Sequence, residues 1–519
     1  MSTVELKPTI INHISYAAAG LLCVLAFSPF HQWWLIPCIL AWVLNQSQRT
    51  PLVNKDRYTG PALFSLCYFL GHLYWLVIPM HDFARLNWFL SILLLFASCS
   101  LLGFFMYMTF YTTAKASDRF SPLIAYLLVF PCVWFLNEYL RSMFFPWALI
   151  GFSQTTDLSL RWLLPIIGVW GVGWLIALLS GMLALLTKYP YRQSLVIFIT
   201  TLITLVFSLT VATNLRTITE PHLTIPGDVA FTTVQHNEIK DFYQPDLSNE
   251  SLQEQLTLTD TIAKPNHLII WPESALPVAN EKAAWIGDLK HWLQQRNISL
   301  LSGITWHTNQ GISPAAILLD DHTDSNQIVY KQHLVPFGET VPFKGIIQPM
   351  LDFAGIPLFS MVSQVGDYST IAFGPHVIAP IICYDILFTD QATSSLDHAD
   401  FGIVLANSSW YGRSIASYQH SQIAQVVAAQ ANKEIIFATN AGLSSHIART
   451  GAIIDATSDF KTPYLNGHIH PNRQPTLYSA NRYNPAMVLS VITNFIAVII
   501  INRIYQVKKR RNRRSHRNL

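Results

Sequence analysis

His376-Val377-Ile378-Ala379-Pro380-Ile381-Ile382-Cys383-Tyr384-Asp385 is an apolar, β-branched run that ends on a thiol and a carboxylate. Such a run reads as a buried strand, and a polar residue at its end stands where neighbouring strand ends bring side chains together. Cys383 is the only cysteine in the polar part of the chain, because Cys23, Cys38, Cys67, Cys99 and Cys132 all lie in hydrophobic stretches. A lone thiol outside the cytoplasm has no intradomain disulfide partner and invites oxidation, so its presence asks for chemistry. A nucleophile is the leading reading; the bland one is a small buried hydrophobe at a strand end.

Outward from this stretch, composition sets the class. The chain has 519 residues, 51% of them hydrophobic and 12% charged, which is outside the range of soluble domains and marks a membrane protein. The sequence divides into a transmembrane helical domain at 1–219, a globular domain of mixed composition at 220–483, a last transmembrane helix at 484–507 and a basic tail at 508–519. A span needs about 20 apolar residues. Eight candidates appear, near Ile11–Phe27, Trp33–Val43, Pro61–Met80, Trp88–Thr113, Leu123–Leu140, Trp162–Leu186, Ser194–Thr213 and Met487–Ile504, the second being short. No small-residue cleavage pattern follows the first, so it reads as a retained anchor.

Eight spans place both termini on one side. The loops on that side hold Arg49, Lys55, Arg57, Lys115, Arg119, Lys188, Arg192 and the basic tail, against Arg85, Arg141 and Arg161 on the other. The positive-inside rule then puts the termini in the cytoplasm and the globular domain outside it. Beside a span, the run Lys508–Arg514 points to anionic headgroups and not to nucleic acid. Between spans five and six, Arg141–Phe152 is an aromatic stretch broken by Pro146 and Gly151; it reads equally as a lipid-accessible mouth or as an ordinary aromatic belt.

In the globular domain, strands are expected at Val229–Val234, His267–Trp271, Ser299–Thr305, Ala315–Leu319, Ile328–Lys331, Val377–Ile382, Phe401–Ala406 and Glu434–Thr439. Helices are expected at Ser251–Ala263, Glu281–Arg296 and Tyr418–Asn432. The excess of strands over helices predicts layered α/β, one sheet packed on another with helices outside. No phosphate-binding loop or metal-ligand spacing is present, and no metal or organic cofactor is implied.

Three blocks place functional side chains at strand ends: Trp271-Pro272-Glu273-Ser274, then Tyr330-Lys331 through Pro336-Phe337-Gly338-Glu339, then Ile382-Cys383-Tyr384-Asp385. Singly, Glu273 reads as a surface cap and Lys331 as a solvated strand residue. Together they make an acyl-transfer set. A free thiol with a pKa of about 8.5 is only slightly ionised near neutrality, so it needs a base such as Glu273. The oxyanion that follows needs a donor such as Lys331.

With these motifs the chain resembles the carbon–nitrogen hydrolase (nitrilase) superfamily, whose αββα sandwich carries a Glu-Lys-Cys triad, and in particular its membrane-bound, lipid-acylating branch. The resemblance extends to the Phe145-Pro146-Trp147 block, Asn407-Ser408-Ser409-Trp410-Tyr411-Gly412, Gln419-His420 and Thr439-Asn440-Ala441-Gly442. It implies a bundle of about eight helices with a nitrilase-like αββα domain between spans seven and eight. It implies a multi-pass protein of the bacterial inner membrane with the catalytic domain on the periplasmic face, acting as a monomer. The implied reaction takes an acyl chain from a glycerophospholipid, through a thioester on Cys383, to the α-amino group of a diacylglyceryl-cysteine at a lipoprotein N-terminus. Glu273 would be base and acid and Lys331 the oxyanion partner, with Glu339, Tyr384 and Asp385 in support and Asn407, Trp410, Tyr411 and Trp147 toward substrate.

Several positions depart from the family pattern. Asp385 stands where the family has Glu, Ser408 replaces an Asp, and Val427-Ala428-Ala429-Gln430 replaces Arg-Ala-x-Glu. A tryptophan expected after Gln235 is absent, with Phe242 and Tyr243 the nearest aromatics. The triad is intact, so these changes bear on substrate choice and turnover. Two other readings stay open: a membrane-anchored nitrilase-like amidohydrolase that passes the acyl group to water, and a divergent paralogue with an altered acceptor or only a binding role.

Overall fold

The structure is a computed structural model and describes residues 8–49, 56–187, 227–235 and 249–480, apart from 282, 321–325, 343, 354–359, 365–369, 459 and 462, together with 503. The seventh and eighth expected spans, the basic tail, and Phe242 and Tyr243 lie outside the described residues. The described chain forms two compact units. One is built from 8–74 and 92–187. The other is built from Trp75–Ser91 with 227–480.

Four described helices are long and apolar enough to cross a membrane: Arg57–Phe83, Trp88–Arg119, Pro122–Ser142 and Leu160–Leu186. Two shorter apolar helices, Ile11–Ala26 and Leu35–Ser47, precede them. In the helical unit the Leu160–Leu186 helix is largely enclosed, whereas Trp88–Arg119 leaves Leu93, Leu101 and Phe104 exposed. A helix apolar on all sides has an interior or lipid environment and not water. Helices approach closely at small residues, as at Gly181, where a Cβ would stand 2.1 Å from the carbonyl oxygen of Tyr126; any side chain there would force the pair apart.

Among the described residues the second unit carries twelve strands. They are β1 (Val229–Val234), β2 (Leu268–Trp271), β3 (Ser299–Thr308), β4 (Gly311–Leu319), β5 (Gln327–Tyr330), β6 (Ile371–Phe373), β7 (His376–Ile382), β8 (Phe401–Ala406), β9 (Ile435–Thr439), β10 (Ser445–Ile447), β11 (Ile453–Ala456) and β12 (Tyr464–Ile469). They form two six-stranded sheets, β12-β1-β2-β3-β4-β5 and β11-β10-β9-β8-β7-β6. Each has a parallel centre, β1-β2-β3 in one and β7-β8-β9 in the other, flanked by antiparallel strands. Parallel strands are covered on both faces, which is why β2, β8 and β9 are buried end to end.

Helices Asn249–Ile262 and Trp285–Gln294 pack Leu252, Leu256, Ile286, Leu289 and Leu293 on Ile269, Trp271, Leu300 and Ile317 of the first sheet. Each such side chain, fully buried, is worth about 1.5–3 kcal/mol. Helices Thr389–Asp397 and Ala416–Ala431 contact β7, β9 and β10 of the second sheet, and the sheets meet through β2 with β9 and β4 with β7. The layers therefore run helix, sheet, sheet, helix, which places the carboxyl ends of β2, β7, β8 and β9 at one edge of the sandwich.

Candidate active site

Glu273 follows β2 as soon as Pro272, which has no N–H to continue the ladder, ends it. The turn lies against β3 because residue 303 is glycine: a Cβ there would stand 2.5 Å from the Glu273 Cα. Gly303 N–H donates to the Pro272 carbonyl at 3.1 Å, and its own carbonyl accepts from Leu276 N–H at 3.2 Å. Lys331 is the first residue after β5, its N–H on the Pro314 carbonyl at 2.9 Å. Its ammonium, wholly buried, donates to Glu273 Oε1 at 2.8 Å and to Glu339 Oε1 at 2.7 Å. Glu339 is itself fixed, since Oε2 accepts from Val335 N–H at 2.8 Å.

Cys383 opens the tight turn Cys383–Leu387 after β7. His420 Nε2 donates to the Cys383 carbonyl at 3.2 Å, and the backbone N–H of Asn407, just past β8, bonds the thiol. The Asn407 loop is anchored in turn by Ser408 N–H on Thr439 Oγ1 at 3.0 Å and on Asn440 Oδ1 at 3.1 Å. Each of the three turns that carry Glu273, Lys331 with Glu339, and Cys383 contains a non-glycine residue at positive φ: Ser274 at 54°, Phe337 at 62° and Cys383 at 47°. Such conformations cost about 1–3 kcal/mol each and persist where the surroundings over-determine them.

Burial pushes the Cys383 thiol well above its ordinary value, with the Glu273 charge adding to this and Lys331 and the Asn407 N–H opposing it. Near neutral pH the sulfur is protonated and needs a base to act. Burial alone would lower the Lys331 ammonium, but Glu273, Glu339 and Cys383 together hold it well above its ordinary range, so it stays charged. Burial raises Glu339, with Lys331 opposing. Glu273 spends Oε1 on Lys331, and among the described residues no donor occupies Oε2. The arrangement thus holds a protonated thiol, a carboxylate oxygen able to take its proton, and a fixed cation.

Of the supporting residues, Tyr384 is buried with its ring edge on Phe388 at 5.5 Å. Asp385 accepts from the N–H groups of Gln332 at 3.2 Å and His333 at 2.7 Å, and pairs with the His333 ring. Asn407, Trp410 and Tyr411 share the loop beside Cys383. Trp410 packs on Phe83 at 5.1 Å and Tyr411 on Trp75 at 4.8 Å, both from Trp75–Ser91. Trp147 lies in the helical unit, where it is buried and its carbonyl accepts from Arg141 at 2.7 Å. The sequence reading did not single out Gly303, His333 or the aromatic partners in Trp75–Ser91. Trp75 read as part of the span Pro61–Met80 and Phe83 as part of the loop after it, and nothing in a single sequence marks a glycine as the floor of a distant turn.

Among the described residues no group of three or more His, Cys, Asp or Glu side chains is placed to hold a metal. Two family models match the chain, "Apolipoprotein N-acyltransferase N-terminal domain" over residues 19–182 and "Carbon-nitrogen hydrolase" over residues 235–474. Among its relatives, the apolipoprotein N-acyltransferase of Wigglesworthia glossinidia brevipalpis is 28% identical, over 93% of this chain and 96% of its own. Those of Pseudomonas putida (92% and 94%) and Methylococcus capsulatus (96% and 96%) are each 27% identical. A membrane-helical unit and a carbon–nitrogen hydrolase unit are thus matched in order along the chain, and over nearly its whole length the chain is similar to apolipoprotein N-acyltransferases.

Proposed function

We propose that this protein moves an acyl chain from a glycerophospholipid to the α-amino group of the diacylglyceryl-cysteine at an apolipoprotein N-terminus, through a thioester on Cys383. The observation that carries the reading is the buried Lys331 ammonium shared by Glu273 and Glu339 beside a protonated thiol, in a chain whose other unit is made of membrane-length helices. In the first half-reaction Glu273 takes the thiol proton as sulfur attacks the ester carbonyl carbon. Lys331 stabilises the oxyanion, with its position fixed by Glu339. The ester C–O bond then breaks, Glu273 returns the proton to the glycerol oxygen, and a lysophospholipid leaves.

In the second half-reaction the amine attacks the thioester carbonyl, Glu273 accepts the amine proton, and the C–S bond breaks. The proton passes back to sulfur, which regenerates the thiol and leaves an amide. Asn407, Trp410 and Tyr411 face the acyl donor or acceptor in this scheme, with Tyr384 and Asp385 supporting the nucleophile turn. The donor being a bilayer lipid supports a site that opens at membrane level. The loop charges read from the sequence support a catalytic domain at 220–483 on the periplasmic face of the inner membrane, in a monomer with spans at 1–219 and 484–507.

The competing hydrolase differs only in the second acceptor. Purified protein charged with acyl groups and then given a diacylated lipopeptide should discharge them onto its amine, read as a new amide by mass spectrometry. Release as free fatty acid alone, with the peptide present, would make the protein a hydrolase.

A further inference from the structure

The triad is assembled from two different sheets. Glu273 and Lys331 follow β2 and β5 of the first sheet, whereas Cys383 follows β7 of the second. The separation between ammonium and sulfur therefore depends on how the two sheets are held together at this edge, and hydrophobic attraction between their faces is itself non-directional. Directional bonds are needed where a misplacement of about 1 Å costs rate.

Such bonds come from the residue that departs from the family pattern. Asp385, two residues past the nucleophile and almost fully buried, turns both carboxylate oxygens toward the two residues after Lys331. Oδ2 accepts from Gln332 N–H at 3.2 Å and Oδ1 from His333 N–H at 2.7 Å. The His333 ring completes the contact, with Nδ1 3.0 Å from Oδ1. An ionised carboxylate only accepts, so Nδ1 carries the hydrogen. The opposite partner of that ring is Phe388, stacked at 3.6 Å and 14°, which belongs to the same turn region as Asp385. His333 is thus gripped by the nucleophile turn twice, through its edge and its face.

We propose that Asp385 and His333 form a clasp between the sheets that sets Lys331 against Cys383, which makes His333 a positioning residue for formation of the thioester. This inference rests on the acyl-transfer reading for its kinetic consequence but not for its geometry. The aspartate reaches the lysine turn directly through two backbone N–H groups, and the imidazole adds a third bond, to the oxygen that its own backbone N–H already holds. Gln332 carbonyl also accepts from Ser363 Oγ at 2.7 Å, so the turn is tied on a second side and does not need His333 in order to fold.

The test is single-turnover acylation of the full-length protein by phosphatidylethanolamine in mixed micelles, for wild type, His333→Ala, His333→Gln, Asp385→Asn and the double variant that combines His333→Ala with Asp385→Asn. Loss of a charge-assisted contact predicts an acylation rate about tenfold lower in His333→Ala. The thermal midpoint should stay the same, with recovery to within about threefold in His333→Gln, whose amide donates to the same oxygen. Discharge of the preformed thioester should change less than its formation. A wild-type rate in His333→Ala would overturn the clasp, as would a loss that His333→Gln does not restore. So would effects of His333→Ala and Asp385→Asn that simply multiply in the double variant. A readout without lipid is alkylation of Cys383 by iodoacetamide. The thiol is faced by Glu273, Lys331, Glu339 and Tyr411, and letting Lys331 drift should move the alkylation midpoint to higher pH in His333→Ala and back in His333→Gln. Absence of any thioester in wild type would sink the acyl-transfer reading, while the alkylation midpoints would still decide the clasp.

Discussion

Each unit of this protein buries a cation with carboxylate, and the two clusters are built to opposite ends. In the helical unit Arg141 donates to the carbonyls of Phe145 at 3.0 Å and Trp147 at 2.7 Å and covers the Phe69 ring at 5.0 Å. Glu138, 4.0 Å from the guanidinium, accepts from Ile150 N–H at 2.8 Å and Trp134 Nε1 at 3.2 Å. Both acidic oxygens are engaged and the guanidinium binds the loop it supports. In the two-sheet unit, among the described residues, Lys331 has two carboxylates for three N–H donors, and Glu273 has one oxygen engaged. A closed cluster holds a loop in place. An open one has a proton acceptor and a donor left for a reacting group.

The sharpest way to break this contrast is to remove each cation. Lys331→Met should lower the acylation rate by about a hundred- to a thousandfold, the scale of losing an oxyanion donor, with the protein still folded by its thermal transition. Arg141→Met should act the other way round, costing stability by about 3–5 kcal/mol because Glu138 is left buried without its partner. Acylation per folded molecule should be retained. Equal kinetic damage from both substitutions would erase the distinction between the clusters.

Acid offers the next test. Burial depresses His420 to about 4 from its ordinary 6.5, so its neutral ring matches the unfolded state above pH 6.5 and opposes folding as pH falls from there to 4, by up to about 3 kcal/mol. His420→Gln should therefore lose less stability across that window than wild type, measured by denaturant titration at fixed pH steps; parallel profiles would show that the ring is not held neutral. Smaller still is Glu339→Gln, which leaves Lys331 one carboxylate. Acylation should fall about ten- to hundredfold, the worth of a charged hydrogen bond that orients the lysine. An unchanged rate would mean that Glu273 alone positions the ammonium.

The same contrast explains what could be read from sequence. β1 and β8 match expectation residue for residue, because strands buried on both faces read as short, nearly continuous runs of apolar and β-branched residues. The Cys383, Lys331 and Glu273 blocks stood out because each ends such a run. By contrast β10 has three residues and β11 four, with Ile453 and Ile454 exposed, so neither is a long enough apolar run to stand out in the sequence. The helix Thr389–Asp397 is short and polar, with Thr-Asp-Gln-Ala-Thr-Ser-Ser-Leu-Asp, and is recruited by packing under Ala392 and Leu396. Gly303 and His333 matter through residues distant in sequence, and such contacts leave no local pattern. Trp75–Ser91 was hidden for a different reason: its apolar composition suits a membrane span, yet its aromatic rings pack on Trp410 and Tyr411 of the two-sheet unit.

The central claim is that the open cluster activates Cys383 to carry an acyl group. Intact-mass analysis of the purified protein after incubation with phosphatidylethanolamine tests it most directly. The account predicts one added acyl chain that hydroxylamine removes, present in wild type and absent in Cys383→Ala. A wild-type protein that consumes no lipid and shows no adduct, or an adduct that survives in Cys383→Ala, would contradict it.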